Sequence, residues 1–475
     1  MSTRSFLVNG EWRTGEGTFA VRSPFDDGVV AEVGVPTEGD VEDATVAATE
    51  TFKESRRLPV HARSEALDHI SRRLAETLEE NAQLIAREGG KPIKWARVEA
   101  ARAVSTFRWA SEVLRHGEEE LMRLDTEASF GSRVGLLRRF PYGPVLGITP
   151  FNFPLNLVAH KVAPALAVGA PIVVKPASAT PMGALRLAEL FDETGLPKGM
   201  YQVLPVRSNV AEQMARDPRF KKISFTGSAD IGWHLKGLDP RKRVTLELGG
   251  NAGVVVHSDA DLDHAAARIA IGGYYQAGQS CISVQRVLVQ SEVYEDLCAR
   301  LVKQVESLKY GDPMDPTVDV GPVIDKGSLE RINRWVKEAV SEGAEVLTGG
   351  RIDSPFYVPT LLSRTKPEMR VVCEEIFGPV VTVSPYQTFE EALAMVNDSR
   401  FGLQAGVFTN DIGRAFEAHR TLEVGGVIIN DMSAFRADQM PYGGSKDSGF
   451  GREGLRFAME EMTEPRLMVL SNVPL

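Results

Sequence analysis

Three residues that could perform covalent and acid–base chemistry lie where predicted elements end. The first is Cys281 in QAGQSCIS, between a predicted helix that ends at Gly278 and the start of a strand. A thiol at such a junction can face a cleft with backbone N–H groups nearby, and these donors favour the nucleophilic thiolate. The alternative is a packing role, which we expect for Cys298 and Cys373.

The other two are a carboxylate and an amide at the ends of apolar predicted strands. Glu247 lies in RVTLELGG, where burial would raise the pKa of its carboxyl towards neutrality, as a general base requires. Asn152 lies in TPFNFP, after a predicted parallel strand, at the sheet edge where ligands bind in open α/β folds. Its amide could donate to a developing oxyanion. The alternatives are a solvent-facing glutamate and an asparagine that caps the next helix.

A third pattern predicts an anion site. In FTGSADIG a strand leads through Gly227 and Ser228 into a helix, whose N-terminus would suit a dinucleotide pyrophosphate. The spacing differs from G-x-G-x-x-G, so a plain turn is the alternative. The sequence holds no G-x-S-x-G, H-E-x-x-H, C-x-x-C or G-x-x-x-x-G-K-[ST] motif, and its eight histidines have no metal-ligand spacing, so we expect no metal site.

Composition excludes several classes of partner. The 475 residues are 43% hydrophobic and 25% charged, which is typical of a soluble globular protein with two to four domains. With 54 basic and 64 acidic residues the formal charge is −10, so we expect neither a nucleic acid nor a membrane as partner. Three cysteines cannot form a disulfide framework, and a cytoplasmic location fits best.

The elements that must position these residues are read from apolar periodicity. Helices are predicted over 41–53, with Asp40 as a cap, and over 62–89, where Gly89 and Gly90 would end the second helix. From Gly143 onward, short apolar strands alternate with helices, which predicts an α/β fold with parallel sheets. A second such series begins near Gly250, and residues 465–470 predict a terminal strand that needs a sheet edge, supplied by another subunit if not by this one.

Taken together, seven segments resemble the aldehyde dehydrogenase superfamily in their order and spacing. They are ITPFNFP, VVKPA, FTGSADIG, LELGGN, GQSC, EEIFGPV and PYGGSKDSGFGREG. The resemblance covers nearly the whole chain. It implies a Rossmann-like parallel-sheet cofactor domain (1–121 and 142–250), an α/β catalytic domain (251–440) and a small β oligomerisation element (122–141 and 455–475). A homodimer or homotetramer is therefore expected.

The resemblance also implies a mechanism. Cys281 would add to the carbonyl of an aldehyde, with Asn152 and the Cys281 N–H as oxyanion hole, and a thioester would remain after oxidation. Glu247 would activate the water that releases the acid; its presence favours hydrolysis over transfer to coenzyme A. A cysteine-dependent esterase or thioesterase, and a non-catalytic binding protein on the same fold, are the competing functions.

Cofactor and substrate contacts follow from the same likeness. NAD or NADP is expected, with both used, because Ser178 stands where many NAD-preferring relatives have a glutamate. Phe151 stands where many relatives have tryptophan.

Arg436 lies in a loop that closes the substrate funnel in relatives and could bind an anionic group, with a solvated arginine as the alternative. Ser280 argues against a phosphorylated aldehyde, and the motifs lean towards small hydroxylated or anionic aldehydes. The implied cofactor contacts are Thr149, Pro150, Phe151, Lys175, Ser178, Gly227, Ser228, Glu375 and Phe377; the implied substrate contacts are Phe153, Asn156, His160, Ser280 and Arg436.

Overall fold

Two largely parallel sheets dominate the computed structural model, which describes residues 3–117 and 119–472. The first sheet has six strands, parallel except for the antiparallel edge strand Gly449–Phe450. Their spatial order is Gly449–Phe450, Arg243–Glu247, Lys222–Thr226, Val145–Ile148, Ile172–Lys175 and Tyr201–Val203. The helices that alternate with these strands are Asn156–Val168, Met182–Asp192, Ser208–Arg216 and Ala229–Leu238. This alternation confirms the predicted α/β class.

The second sheet has seven strands, of which only the edge strand Glu345–Thr348 is antiparallel to its neighbour. The other strands, in spatial order, are Thr360–Ser363, Val380–Tyr386, Val284–Gln290, Ala252–Val256, Gln404–Phe408 and Gly426–Ile429. Its helices are Leu262–Tyr274, Tyr294–Glu306, Lys326–Ser341, Arg370–Cys373, Phe389–Asn397 and Ile412–Thr421. Each sheet has its own apolar core.

The N-terminal part packs against the first core. Two antiparallel pairs, Phe6–Val8 with Glu11–Arg13 and Thr18–Arg22 with Val29–Gly34, precede four helices. These helices are Glu38–Ser55, Val60–Glu76, Leu78–Gly89 and Ile93–Arg115. No helix in residues 3–117 or 119–472 is long and apolar enough to cross a bilayer.

Two local predictions in this part were wrong. The predicted helix 62–89 is two helices, because Thr77 leaves the helical region (φ −110°, ψ 25°) and its hydroxyl donates to the Arg73 carbonyl. Asp40 is not the cap. The cap is Thr37, whose hydroxyl accepts from the Asp40 N–H while the Asp40 carboxylate accepts from the Thr37 N–H.

A small antiparallel sheet joins two distant parts of the chain. Its strands are Thr463–Ser471, Arg133–Pro141 and Glu120–Arg123, with Arg133–Pro141 in the middle. The helix Leu455–Glu461, which the predicted oligomerisation element includes, packs into the first core. The domain boundaries stay a prediction, and their residues 1, 2, 118 and 473–475 lie outside the described residues.

Candidate active site

Cys281 follows a left-handed turn between the helix Leu262–Tyr274 and the strand Val284–Gln290. Gln276, Ala277 and Gly278 have φ values of 55°, 55° and 67°. A Cβ at Gly278 would lie 2.1 Å from the Gly378 carbonyl oxygen, so this turn requires glycine there. Within the part of the chain that the structure describes, the Cys281 N–H donates to no acceptor, which leaves it free for a ligand.

The Cys281 sulfur lies 3.0 Å from the Tyr442 hydroxyl oxygen. Burial raises the pKa of the thiol to about 12, and the nearby carboxylate of Glu375 acts in the same direction. The Tyr442 hydroxyl and the Arg436 guanidinium oppose this shift. In this state of the site, burial therefore acts against the thiolate form that nearby backbone N–H groups would favour.

Asn152 lies beside the segment that leads to the thiol. Its side-chain Nδ2 donates to the Gln279 carbonyl over 3.0 Å, and its backbone carbonyl oxygen accepts from Gln276 Nε2. The side chain is buried at 6% exposure, and its Oδ1 has no partner among the described residues. An amide nitrogen carries two hydrogens, so one remains for a ligand.

Glu247 ends its strand beside Thr226 on one side and Gly449 on the other. It is 2% exposed, and within the described residues neither carboxylate oxygen has a hydrogen-bond partner. Burial first, and the negative Glu453 second, raise its pKa well above the ordinary value, against the pull of Arg436. This agrees with the raised pKa expected from the sequence, and it suits a carboxyl that takes a proton from water.

Two buried basic residues flank this carboxyl and share one acid. Glu453 accepts from Lys161 Nζ at 2.9 Å and from Arg436 Nη2 at 3.2 Å. Although burial acts in the opposite direction, these two cations lower the pKa of Glu453 to about 2. The Arg436 side chain is only 7% exposed, and its guanidinium carbon lies 3.7 Å from the centre of the Tyr442 ring. Arg436 is therefore not a solvated loop arginine.

Asn156 and His160 are also buried, each 1% exposed. Both donate towards Asp438, His160 Nε2 at 3.1 Å and Asn156 Nδ2 at 3.3 Å, and Arg102 pairs with the same carboxylate at 2.8 Å. Burial first, and the Arg436 charge second, lower the pKa of His160. In this structure the two side chains hold Asp438, and their contact with substrate stays a prediction.

The remaining predicted substrate contacts are Phe153 and Ser280. The Phe153 ring is half-buried, with the Lys91 ammonium 4.0 Å from its centre. The Ser280 hydroxyl is buried, and no hydrogen-bond partner for it lies within 3–117 or 119–472.

The predicted adenosine and pyrophosphate contacts lie at the carboxyl edge of the first sheet. Thr149 is buried, Pro150 and Phe151 are half-buried, and the Thr149 N–H donates to the Lys175 carbonyl. Burial lowers the pKa of Lys175, and its ammonium pairs with no carboxylate of the described chain. Such an ammonium is suited to the hydroxyl or phosphate oxygens of a ligand.

Nearby, Gly227 and Ser228 precede the helix Ala229–Leu238. The Ser228 side chain is exposed and makes no capping bond, so the helix N-terminus can accept an anion. Ser178 is also exposed, on the loop after Lys175.

Glu375 and Phe377 reach this edge from the second sheet's side. Glu375 accepts from the Gly250 N–H at 2.9 Å, and a Cβ on Gly249 would lie 2.3 Å from its carboxylate. Burial raises the pKa of Glu375 to about 7. The Phe377 ring, on a residue with φ 45°, meets the Phe151 ring edge-on with centres 5.8 Å apart. The predicted contacts Phe151, Glu375 and Phe377 therefore meet between the two sheets.

Comparison with known proteins identifies the family. The model of the "Aldehyde dehydrogenase family" matches residues 12–468. The chain belongs to the aldehyde dehydrogenase family. A 3-sulfolactaldehyde dehydrogenase from Priestia aryabhattai is 42% identical over 98% of this chain and 97% of its own length. Among solved structures, aldehyde dehydrogenase 21 from Physcomitrella patens, in complex with the reaction product succinate, is 41% identical with a TM-score of 0.97, over 99% of both chains.

A second similar structure carries a cofactor. It is glyceraldehyde-3-phosphate dehydrogenase GapN from Methanocaldococcus jannaschii, complexed with NADP, 35% identical over 96% of this chain and 99% of that chain, with a TM-score of 0.92. These likenesses confirm the predicted aldehyde dehydrogenase fold and an NAD(P)-dependent oxidoreductase that converts an aldehyde to an acid. They decide against a cofactor-free hydrolase and a non-catalytic binding protein.

Sequence reasoning assigned no role to three further residues of this cluster. Lys161 stands out in hindsight as the single charge in the otherwise apolar helix Asn156–Val168, where a buried ammonium demands a partner. That partner, Glu453, and Tyr442 both lie in PYGGSKDSGFGREG, but this segment by itself does not show that they lie beside Lys161 and Cys281. No group of three metal-ligating side chains occurs among the residues described.

Proposed function

We propose that the enzyme oxidises a small aldehyde bearing a carboxylate or sulfonate, with Cys281 as nucleophile and Glu247 as hydrolytic base. Cys281 forms a bond to the carbonyl carbon while the carbonyl electron pair moves to oxygen. Asn152 Nδ2 and the Cys281 N–H donate to that oxygen, and one such donor is worth about 10²–10³ in rate. After oxidation, Glu247 takes a proton from water, whose oxygen bonds to the thioester carbon, and the carbon–sulfur bond breaks to release the acid and the Cys281 thiolate.

The residues present fit a nicotinamide dinucleotide. When bound, the cofactor accepts the two electrons and the hydrogen of the aldehyde carbon. The Lys175 ammonium, which pairs with no carboxylate among the described residues, and the open helix N-terminus after Ser228 suit ribose hydroxyl and pyrophosphate oxygens. We assign the nicotinamide ribose to Glu375 and the ring to Phe377. Because Ser178 is an exposed, uncharged residue near Lys175, nothing in its side chain repels a 2′-phosphate, so both NAD and NADP are proposed as cofactors.

The substrate proposal rests on one observation, the buried Arg436 guanidinium. Glu453 binds only its Nη2, while Nε is buried without a partner in the described chain. A buried charged donor without an acceptor is costly, and an anionic substrate would supply that acceptor. The names of the three similar proteins point the same way, because sulfolactaldehyde, succinate and glyceraldehyde 3-phosphate all carry an anionic group.

Replacement of Arg436 tests the substrate class. Arg436→Met should lower kcat/KM for succinic semialdehyde roughly 10- to 100-fold more than for butanal, which has the same carbon chain without the carboxylate. The measurement is the initial rate of reduced-cofactor formation with NAD and with NADP. Arg219→Met, which removes a surface arginine paired with Glu42, is the matched control and should change kcat/KM for neither aldehyde. Cys281→Ala should abolish turnover of both aldehydes. Equal losses for the two aldehydes in Arg436→Met would exclude an anion contact.

We also propose that the protein is a homodimer or homotetramer in a reducing compartment such as the cytoplasm. The strand Thr463–Ser471 is an edge of the small sheet, and the strand Gly426–Ile429 is an edge of the second sheet. Unpaired edges of this kind accept a strand from another chain. The three cysteines form no disulfide, which fits a reducing compartment.

A further inference from the structure

The Tyr442 phenol belongs to the immediate surroundings of the nucleophile. Tyr442 forms a small buried cluster with Ile282 and Leu403, and Cys281 packs against that cluster. Its hydroxyl lies 3.0 Å from the Cys281 sulfur and has no other hydrogen bond within the described chain. The hydroxyl is therefore available to the sulfur alone.

The position of the phenol is fixed from both sides. The Tyr442 N–H donates to the Glu453 carbonyl at 3.0 Å, and the Glu453 N–H donates back to Tyr442 at 2.6 Å. The Arg436 guanidinium covers one face of the ring, and Glu453 in turn binds Arg436. The backbone pair of Tyr442 and Glu453 thus fixes the tyrosine and also fixes the carboxylate that orients Arg436 over the ring.

In the hydrogen bond between Tyr442 and the Cys281 thiolate, the phenol is the donor. Burial first, and the Cys281 charge second, raise the pKa of Tyr442 well above its ordinary value, so the phenol keeps its proton. A neutral phenol beside a thiolate donates to it, and such a charge-assisted bond is about twice as strong as a neutral one. The Arg436 cation on the ring acts against this rise in the pKa of Tyr442, which makes the phenol a stronger donor than burial alone would leave it.

We infer that Tyr442 is a catalytic residue: its hydroxyl donates a hydrogen bond to the Cys281 thiolate and, with the Arg436 guanidinium on its ring, replaces the solvation that burial removes from the sulfur. This inference rests on Cys281 being the nucleophile. The thiol proton leaves to solvent, Tyr442 retains its own proton, and a sulfur lone pair then forms the bond to the carbonyl carbon. The phenol thus raises the fraction of enzyme ready to react without itself being consumed.

Alkylation of the thiol by iodoacetamide tests the inference without any aldehyde or cofactor. The background is Cys373→Ser, because Cys373 is the other cysteine with an accessible side chain, and carbamidomethylation of Cys281 is quantified by peptide mass spectrometry. Tyr442→Phe removes only the hydroxyl. At pH 8 its second-order rate of alkylation should fall roughly 10- to 100-fold, and the midpoint of the rate–pH profile should move upward.

The other charged groups that face the sulfur or the phenol are Glu247, Glu375 and Arg436, and all three are retained in this variant. Tyr201→Phe is the matched control, because it deletes a buried hydroxyl that donates to the Ala184 carbonyl far along the chain. Its profile should overlay that of the parent, and thermal unfolding should show both variants folded.

The possible results separate the two assignments. A Tyr442→Phe profile that overlays the parent would overturn the role of the phenol. If Cys281→Ala retained dehydrogenase turnover, the nucleophile assignment itself would be wrong, whatever the alkylation kinetics showed. Loss of turnover in Cys281→Ala together with an upward shift in Tyr442→Phe supports both.

Discussion

Glu247 shows how one residue acquires its chemistry from what surrounds it rather than from its type. Its carboxylate is buried without a hydrogen bond from the described chain, between the cations Arg436 and Lys161 and the anion Glu453. Burial and the like charge of Glu453 prevail, so the protonated form is favoured at pH values where an exposed glutamate is ionised. A base of this kind is strong enough to take a proton from water once it is deprotonated.

Removal of that base should separate the two halves of the reaction. In Glu247→Gln, formation of the thioester should proceed, so rapid mixing should show a burst of about one reduced cofactor per active site. Steady-state turnover should fall roughly 10²–10⁴-fold because water is no longer activated. In the wild type, thioester hydrolysis should rise with pH as Glu247 deprotonates, and this rise should be absent from the variant. Glu189→Gln, a surface glutamate paired with Arg186, is the control. Absence of the burst would place Glu247 in acylation instead.

The reactive positions that the sequence predicts are those marked by their immediate neighbours in the chain. Cys281 and Asn152 stand in junctions between elements, and Glu247 stands at the end of an apolar strand. The acidity of Cys281 could not be read in this way, since it depends on Glu375, Arg436 and Tyr442, which the chain brings in from remote positions. Tyr442 lies in one of the segments that carry the family resemblance, but nothing in that segment shows that its hydroxyl lies beside the sulfur.

Among the secondary-structure elements, the helix Asn156–Val168 follows closely after Asn152, the proposed oxyanion donor. Its N-terminus is held by a residue of another helix: Glu99 accepts from the Leu155 and Asn156 N–H groups at 3.0 and 3.2 Å. The second oxygen of Glu99 pairs with the buried ammonium of Lys91. A carboxylate at this position satisfies free N–H groups and favours the positive end of the helix dipole.

We expect Glu99→Gln to destabilise the protein and impair catalysis together. The variant keeps an acceptor for the helix but leaves Lys91 buried without its partner, which costs about 3 kcal/mol in the free energy of unfolding. Urea denaturation should show this loss, and kcat should fall with it because Asn152 is less firmly placed. In Glu99→Gln/Lys91→Met the unpaired charge is gone, so most of the stability should return. A double variant as unstable as the single one would contradict the ion-pair explanation.

Element types were predicted well and element ends less well, for a reason visible at Thr77. The apolar periodicity continues from one helix into the next because both helices face the first core. The break is made by a threonine hydroxyl that donates to the carbonyl four residues earlier, and such a bond is not required by the sequence. In contrast, the end at Gly90, with φ 66°, agrees with the predicted glycine stop.

For the molecule as a whole, the site exists because two sheets with separate cores meet at their reactive edges. Phe151 from the first sheet's side contacts Phe377 from the second sheet's side, and Glu375 lies against Gly249 and Gly250 in the connection between them. The segment after the second sheet then returns to the first, bringing Tyr442 to the thiol and Glu453 to Lys161. Sequence periodicity predicts each sheet, but not this return, because long-range contacts leave no local pattern.

The small sheet should determine whether the enzyme associates with itself. Its edge strand exposes apolar side chains on both faces: Leu467 and Val469 on one, Met468 and Leu470 on the other, each between 36% and 50% exposed. If a second copy pairs with this edge, Leu467→Lys/Val469→Lys and Met468→Lys/Leu470→Lys should both yield monomers by light scattering, because lysines on an edge strand oppose pairing. If only one face packs against the partner, only one of the two variants should dissociate. Truncation after Glu464 is less informative, since it would also uncover the strand Arg133–Pro141. Two variants that both keep the parent's mass would show that this edge is not the interface.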